Sequence, residues 1–124
     1  MPRFIFVHNR NRPDLSPVRV KYCDSFQCRL RGLMFRDHLD PSDGLLLVQG
    51  PRDSRIETSI HMLFVPFDLS VFWINAGLSV VDKTIAKAWR PAYFPSAPAC
   101  YILEIHPQHW DDYQIGDPVE IQNA

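Results

Sequence analysis

Hydrophobic residues recur along this chain in short runs, and several runs alternate with polar residues in the period of two that is typical of β-strands. Val18–Tyr22 is the clearest case, because its alternation places Val18, Val20 and Tyr22 on one face. Asn75-Ala76-Gly77, between two apolar runs, predicts a tight hairpin. The pattern predicts strands at residues 4–7, 18–22, 44–48, 60–64, 69–74, 78–81, 99–105 and 119–121, and residues 85–89 are a candidate extension of the pairing.

One segment has a helical period instead. Its apolar residues recur at i, i+4, i+7 and i+8 and form a single stripe: Phe26, Leu30, Leu33 and Met34. Asp24 followed by Gln27 resembles a capping box. Gly32 indicates either the approaching end of the helix or a close backbone contact. We therefore predict one short helix over 24–34.

Composition agrees with short elements. The chain has eleven prolines against five glycines, and proline interrupts helices and central strands. Its 124 residues suit a single domain over 1–124. Many short strands with one helix predict a mainly β fold, a small β-sandwich or barrel-like sheet with one short α-helix near residues 24–34.

The lengths of the apolar runs also indicate where in the cell the protein is located. The run at 4–7 is too short for a secretory leader, and proline and aspartate interrupt the run at 62–74, which is too short to span a membrane. We expect a cytoplasmic protein without a membrane partner. The oligomeric state stays open.

The three cysteines are an odd number in a chain without an export signal, which predicts free thiols rather than a disulfide framework. The spacing of Cys23 and Cys28 matches no common zinc motif. His106 and His109, with two aspartates close behind, suggest a metal site, but a surface loop is the preferred interpretation. The sequence contains no phosphate-binding glycine loop, no Gly-x-Ser-x-Gly, no His-Glu-x-x-His and no paired cysteine knuckle, so we expect neither a cofactor nor a metal.

Charge is distributed unevenly. Residues 1–36 carry eight Arg or Lys and two Asp, a balance of +6, whereas 37–124 balance to −7. Such asymmetry can mark a nucleic-acid-binding face. We prefer the alternative that the two parts offset each other, because no aromatic-interleaved basic stretch accompanies the arginines. No nucleic-acid partner is expected.

Several blocks together resemble the domain-of-unknown-function family 192 (DUF192). They are Arg31–Arg36, Gly44–Val48, Ser59–Leu69, Tyr101–Glu104 and Ile115–Asp117. The order and spacing of these blocks carry the resemblance.

The resemblance covers roughly residues 18–121, which leaves 1–17 as an N-terminal extension with a possible extra strand. It implies a mainly β, sandwich-like fold with a short helix, and no established reaction. Many members of the family carry an apolar leader, which this chain lacks.

His61 and Asp68 are the candidate catalytic pair, at the two ends of an apolar segment. His61 would serve as a general base or ligand, with Asp68 orienting it. The preferred alternative is structural: Asp68 accepts backbone amides at the turn after Pro66, and His61 satisfies a buried partner.

Arg31 is a candidate for either anchoring or binding. A bidentate pair with Asp68 or Glu104 would anchor the helix on the sheet, and this interpretation is preferred. Alternatively, Arg31 faces a cleft and recognises an anionic ligand. Glu104 alternates with Leu103 along its strand, so we expect it to be exposed.

Trp89, Tyr93 and Phe94 lie in or beside a proline-rich loop, where they could form a stacking surface for a flat ligand. Three hypotheses follow. The preferred one is a non-catalytic binding module for a small or extended ligand that uses this loop with Arg31 and His61, together with Asp68 and Glu104. The others are a small hydrolase or metal-dependent enzyme using His61 and Asp68, and an interaction domain with a basic N-terminal face.

Overall fold

The structure is a computed structural model that describes residues 3–50 and 52–123, with the backbone only for Phe26. Its elements are β1 Phe4–Asn9, β2 Val18–Cys23, α1 Phe26–Arg31, β3 Gly44–Val48, β4 Leu69–Ile74, β5 Val80–Ala86, β6 Tyr101–Ile105, a 3₁₀ helix Pro107–Asp112 and β7 Val119–Asn123. The strands form one sheet in the order β5-β4-β6-β3-β2-β1-β7.

The sheet is mixed, because β2 and β3 pair in parallel while its other strand pairs are antiparallel. A parallel pair needs a crossover connection, and α1 lies in it. The edge strands β5 and β7 approach at one corner, where the Val119 amide donates to the Leu78 carbonyl at 2.8 Å. The prediction of a mainly β fold with a short helix is confirmed; within the described residues the strands form one mixed sheet that does not close.

Both faces of the sheet are buried, and β6 contributes to each. Leu103 and Ile105 belong to one cluster, together with Phe72 and Tyr113; we call this side the Leu103 face. Ile102 belongs to the other cluster, and the alternation of β6 places Glu104 on the same side; we call it the Glu104 face. The turns after α1 and the segment before β4 cover the Glu104 face with buried side chains: Leu33, Leu39, Ile60, Met62 and Val65.

Gly44 permits a close approach between β3 and β6. A Cβ at this position would lie 2.6 Å from Ile105 Cγ2 and 2.8 Å from the Glu104 carbonyl oxygen. Since both distances are well below van der Waals contact, a side chain here would push the strands apart. The strand that carries Glu104 is thus held tightly against its neighbour.

The predicted helix was too long and its cap was misplaced. Ser25, rather than Asp24, caps α1, since its Oγ accepts from the Cys28 amide at 3.1 Å. The helix ends at Gly32, whose φ of +50° favours glycine. With only six residues, the helix cannot present the whole stripe to the core, and Leu30 is 58% exposed. The following turn, not the helix, brings Leu33 into the core.

Two strand predictions were also wrong. Residues 60–64 form no strand; Ile60 makes an isolated bridge with Tyr93, and Phe64 turns the chain at a positive φ of 61°. The strand predicted at 78–81 has different bounds, because β5 begins at Val80 and continues to Ala86, so the pairing extends into the start of 85–89. The predictions at 44–48 and 69–74 match β3 and β4, and the Asn75–Gly77 hairpin joins β4 to β5.

The prediction of free thiols was wrong for two of the three cysteines. Cys23 and Cys28 form a disulfide, and only Cys100 is free. An odd number of cysteines does not exclude a local pair, and the turn from β2 into α1 brings these two within 5.5 Å, measured between their Cα atoms. The bond ties α1 to the buried end of β2.

Candidate functional site

Glu104 is the most unusual residue on its face of the sheet. Its side chain lies between Leu45 and Val71 of the neighbouring strands, and the residue is only 5% exposed. Among residues 3–50 and 52–123, its carboxylate has no hydrogen bond or ion pair. Desolvation raises the pKa of Glu104 to about 7. The expectation of exposure was wrong because both faces of β6 are covered.

The Glu104 carboxylate borders a small cavity of about 50 Å³ beneath the end of α1. A Cβ at Gly32 would lie 3.8 Å from Glu104 Oε1, so the carboxylate reaches under the helix terminus. The other lining residues include Arg29, Arg31, Gln49, Ser59, His61 and Met62. This volume suits one or two water molecules, or the end group of a larger ligand.

Arg31 and His61 line the same cavity as Glu104. His61 Nδ1 accepts from the Leu63 amide at 3.3 Å, which assigns the proton of a neutral ring to Nε2. Arg31 is exposed, and within the described residues it forms no ion pair with Asp68 or Glu104. The predicted anchoring pair was therefore wrong. The short helix leaves Arg31 at its terminus, where the disulfide and the cap already fix the chain.

Asp68 lies apart from this cavity. Its carboxylate accepts from the Ala88 amide at 2.9 Å and lies 3.4 Å from Lys87 Nζ. It therefore ties the start of β4 to the loop after β5, and the described lining of the cavity does not include it. Three of the four polar candidates thus share one site, and the fourth has a structural contact elsewhere.

The predicted aromatic loop is divided between different surroundings. Trp89 is 54% exposed and Phe94 is 62% exposed, whereas Tyr93 is half-buried and its hydroxyl accepts from the Lys87 amide at 2.7 Å. Trp89 packs edge-on against Phe64 at 5.4 Å, and Phe64 stacks on Phe35 at 5.1 Å. The sequence pattern did not indicate this grouping, which we call the aromatic triad: Phe35, Phe64 and Trp89.

All three residues of the triad have a left-handed backbone. Their φ angles are 65°, 61° and 67° for Phe35, Phe64 and Trp89. This conformation costs an L-residue about 1–2 kcal/mol. Backbone hydrogen bonds maintain it: the Phe35 amide donates to the Phe64 carbonyl at 2.8 Å, and the Trp89 amide donates to the Met62 carbonyl at 3.0 Å. Two of the three segments that present these rings also line the cavity, at Met34 and at Met62.

A groove of about 520 Å³ runs beside α1 and shares lining residues with the cavity. Leu30, Arg31 and Met34 line both this groove and the cavity, and Phe35 of the triad lines the groove. The arrangement can therefore hold a polar end group at Glu104 and an apolar body along the helix. Large apolar side chains that are exposed beside a concave polar site are typical of ligand-binding surfaces.

The segment that was expected to be a surface loop contains the 3₁₀ helix Pro107–Asp112, with His106 as its N-cap. His109 Nδ1 lies 2.8 Å from Asp112 Oδ2, and its Nε2 lies 2.8 Å from the Pro41 carbonyl oxygen. Both ring nitrogens therefore face acceptors within the chain. The described residues contain no group of three or more His, Cys, Asp or Glu side chains placed to hold a metal ion.

No helix within residues 3–50 and 52–123 combines the length and the apolar composition that a membrane crossing requires.

A family model and a relative of known sequence both match most of this chain. The model of the DUF192 family, described as an uncharacterised ACR, matches residues 7–121. A UPF0127 protein of Pyrococcus furiosus is 40% identical over 87 residues, which are 70% of this chain and 71% of that protein.

Two solved structures share the fold. A protein of Sinorhizobium meliloti superposes with a TM-score of 0.81 at 16% identity, covering 97% of this chain and 93% of that one. A protein of unknown function from Novosphingobium aromaticivorans gives a TM-score of 0.76 at 17% identity, covering 96% and 84% of the two chains. At these identities the likeness shows the fold alone.

Proposed function

Since the chain belongs to the uncharacterised DUF192 family, we propose that it is a non-catalytic binding module whose ligand places an N–H donor group against Glu104. One observation carries this proposal: a buried carboxylate without a partner among the described residues borders a cavity. Leaving such a group unpaired is costly, and a ligand that donates hydrogen bonds would offset that cost.

The size of the cavity restricts the end group. About 50 Å³ accommodates an ammonium, amidine or amide group, but not a ring. The ring or chain of the ligand would then lie in the groove beside α1, against Leu30, Met34 and Phe35. Arg31, which lines both spaces, is placed to contact an acidic substituent near the donor group. His61 is placed to contact the end group from the side.

A matched set of three ligands tests the proposal, because benzylamine, benzamide and benzoate share a ring and differ in the end group. We expect calorimetry on the full chain to detect benzylamine and benzamide but not benzoate. Benzylamine should bind more tightly as pH rises from 5 to 8, since Glu104 ionises near pH 7.

Glu104→Gln should weaken the binding of benzylamine at least about tenfold, because it removes the charge while retaining the shape of the side chain. Glu57→Gln, at an exposed glutamate, is the matched control. Binding of benzoate alone, or equal binding by Glu104→Gln, would overturn the proposal.

A second candidate function is general acid–base catalysis at the same cavity. It is favoured by the pKa of about 7 for Glu104, which suits proton transfer at neutral pH, and by His61 in the same lining. The pair of His61 with Asp68 that the sequence predicted is not formed, so Glu104 would replace Asp68 in this role. Turnover of a panel of activated esters and amides that is lost in Glu104→Gln would support it, and turnover unaffected by that change would exclude it.

Single-domain organisation over 1–124, with an N-terminal extension at 1–17, and the cytoplasmic location both stay predictions. The Cys23–Cys28 disulfide makes the second one testable, because reducing compartments disfavour disulfides. Rapid alkylation of intact cells followed by mass spectrometry reports the state of both cysteines. Reduced thiols would agree with the cytoplasm, and a fully oxidised pair would count against it.

A further inference from the structure

A second surface lies on β1 and β2, on the side of these strands that faces away from the core. Ile5 and Val7 of β1 are buried, so the alternation of the strand turns Phe4 and Phe6 to the opposite side. In the register of the pair, Phe4 lies opposite Lys21 and Phe6 lies opposite Arg19. Aromatic and basic side chains therefore alternate across the two strands, although they do not alternate along the sequence.

Arg19 contacts an aromatic ring on this surface, and Arg3 contacts a ring on the other side of β2. The Arg19 guanidinium is 3.8 Å from the centre of the Phe4 ring on this side. The Arg3 guanidinium is 4.3 Å from the centre of the Tyr22 ring, which lies on the side of Val20. Cation–π contacts of this kind orient a guanidinium while leaving its N–H groups available for anions. The planes of the guanidinium groups also offer a stacking surface.

An open groove of about 590 Å³ follows these side chains. Its lining within the described residues consists of two arginines, two phenylalanines and an amide: Arg3, Arg19, Phe4, Phe6 and Asn123. The nearest acidic residue on β7, Glu120, lies opposite His8, two positions further along β1 than Phe6. The groove is thus positively charged and aromatic.

We propose that this β1–β2 face binds single-stranded nucleic acid without sequence specificity. Bases would stack on the Phe6 ring and on the Arg19 guanidinium, and phosphates would contact Arg3, Arg19 and Lys21. Charge complementarity and flat rings together select this partner over a neutral one. The rings lie on a sheet rather than at the tip of a loop, so they are poorly placed to enter a lipid layer.

The sequence-based expectation against nucleic acid depended on the absence of a basic stretch interleaved with aromatics. The pairing of β1 with β2 supplies that interleaving in space. This inference is independent of the Glu104 cavity, which lies on other elements.

Fluorescence anisotropy with a fluorescein-labelled twelve-nucleotide oligo(dT) and the full chain tests the proposal. Phe6→Leu and Arg19→Ala should each weaken binding by about 5- to 100-fold, as expected when a stacking contact is lost. Phe6→Leu keeps an apolar side chain at a half-buried position, so the variant should remain folded. Arg52→Ala, which removes an exposed arginine from another part of the chain, should change the affinity little. Glu104→Gln should bind oligo(dT) like the wild type.

The dependence of oligo(dT) binding on salt concentration is an independent test. With three cations at the phosphates, log K should fall with log salt concentration with a slope of about −2. Loss of binding only in Arg19→Ala, with Phe6→Leu unaffected, would indicate a general polyanion surface and overturn the proposal. Binding to phosphatidylserine vesicles in place of oligo(dT) would overturn it as well.

Discussion

Leu103 and Glu104 are neighbours in β6, and the two faces of the sheet on which they lie differ in composition and in packing. The Leu103 face is mostly apolar and well packed, with Phe72 and Tyr113 in ring contact at 4.9 Å. Its polar exception is Ser70, whose buried hydroxyl has no hydrogen-bond partner among the described residues. The Glu104 face is equally buried, yet it contains a carboxylate without a partner among the described residues and a cavity beside it. Packing and burial account for the first face apart from this neutral hydroxyl, whereas the second face buries an ionisable group.

The Glu104 face has features that lower the stability of the folded protein and that folding does not require. A leucine at 104 would join Leu45 and Val71 without desolvating a charge. The nearby aromatic triad adds backbone strain while it exposes its rings. Features that lower stability without improving packing are concentrated at functional sites. The difference between the faces is therefore the main argument for a site at Glu104.

The largest expected effect belongs to the well-packed face. Leu103→Ala should lower the free energy of unfolding by about 2–5 kcal/mol, because it leaves a cavity in a fully buried cluster. Urea denaturation measures the loss. Leu30→Ala, at a residue that is 58% exposed, should lose far less. Similar losses in the two variants would mean that the Leu103 face is not the core described here.

Ionisation of Glu104 should destabilise the protein over a defined pH range. Its folded pKa of about 7 lies above the ordinary value of 4.5, so the folded state retains the proton while the unfolded state has lost it. Stability from this group is present below pH 4.5 and is lost as pH rises through 7. Relative to Glu104→Gln, the wild type should lose about 3 kcal/mol across that range. A pH-independent difference in urea denaturation would contradict this.

The disulfide should contribute a smaller amount. Changing Cys23 and Cys28 together to alanine should lower the free energy of unfolding by about 2 kcal/mol, as expected for a short closed loop. The control is a reductant, which should destabilise the wild type and leave the double variant unchanged. A wild type that is equally stable with and without reductant would show that the bond does not constrain α1.

Backbone strain in the triad predicts the smallest change in stability. It also predicts that glycine and alanine variants have opposite orders of stability inside and outside the triad. At Phe35, with φ of 65°, glycine should be more stable than alanine by about 1 kcal/mol, because glycine adopts this conformation without penalty. At Ile56, which is 80% exposed and not in that conformation, alanine should be the more stable variant. Thermal unfolding of the four variants compares them. The same order at both positions would remove the argument from strain.

Much of the fold could be predicted from local patterns. β3 and β4 follow from their apolar runs, and the Asn75–Gly77 hairpin follows from its turn residues. The helix was overextended because Leu33 and Met34 continue its period, although the chain leaves the helix at Gly32. Periodicity does not distinguish a helical stripe from a turn that happens to bury the next apolar residues.

The site was only partly predictable. Arg31 and His61 could be named as polar residues next to apolar segments, but their grouping with Glu104 depends on strand order. The signal for Glu104 was its place as the one acidic residue in the apolar run at 101–105, which becomes informative once both faces are known to be buried. The triad had no such signal, because its rings meet through loops distant in sequence.

Titration of the Glu104 side-chain carboxyl carbon by NMR, with Glu104→Gln used for assignment, tests the central claim most directly. A buried carboxylate without a partner predicts a midpoint near pH 7 in the free protein. Saturating benzylamine should lower that midpoint, because a cation favours the charged carboxylate. A midpoint near 4.5 in the free protein would show that Glu104 is solvated or already paired, and it would contradict the account.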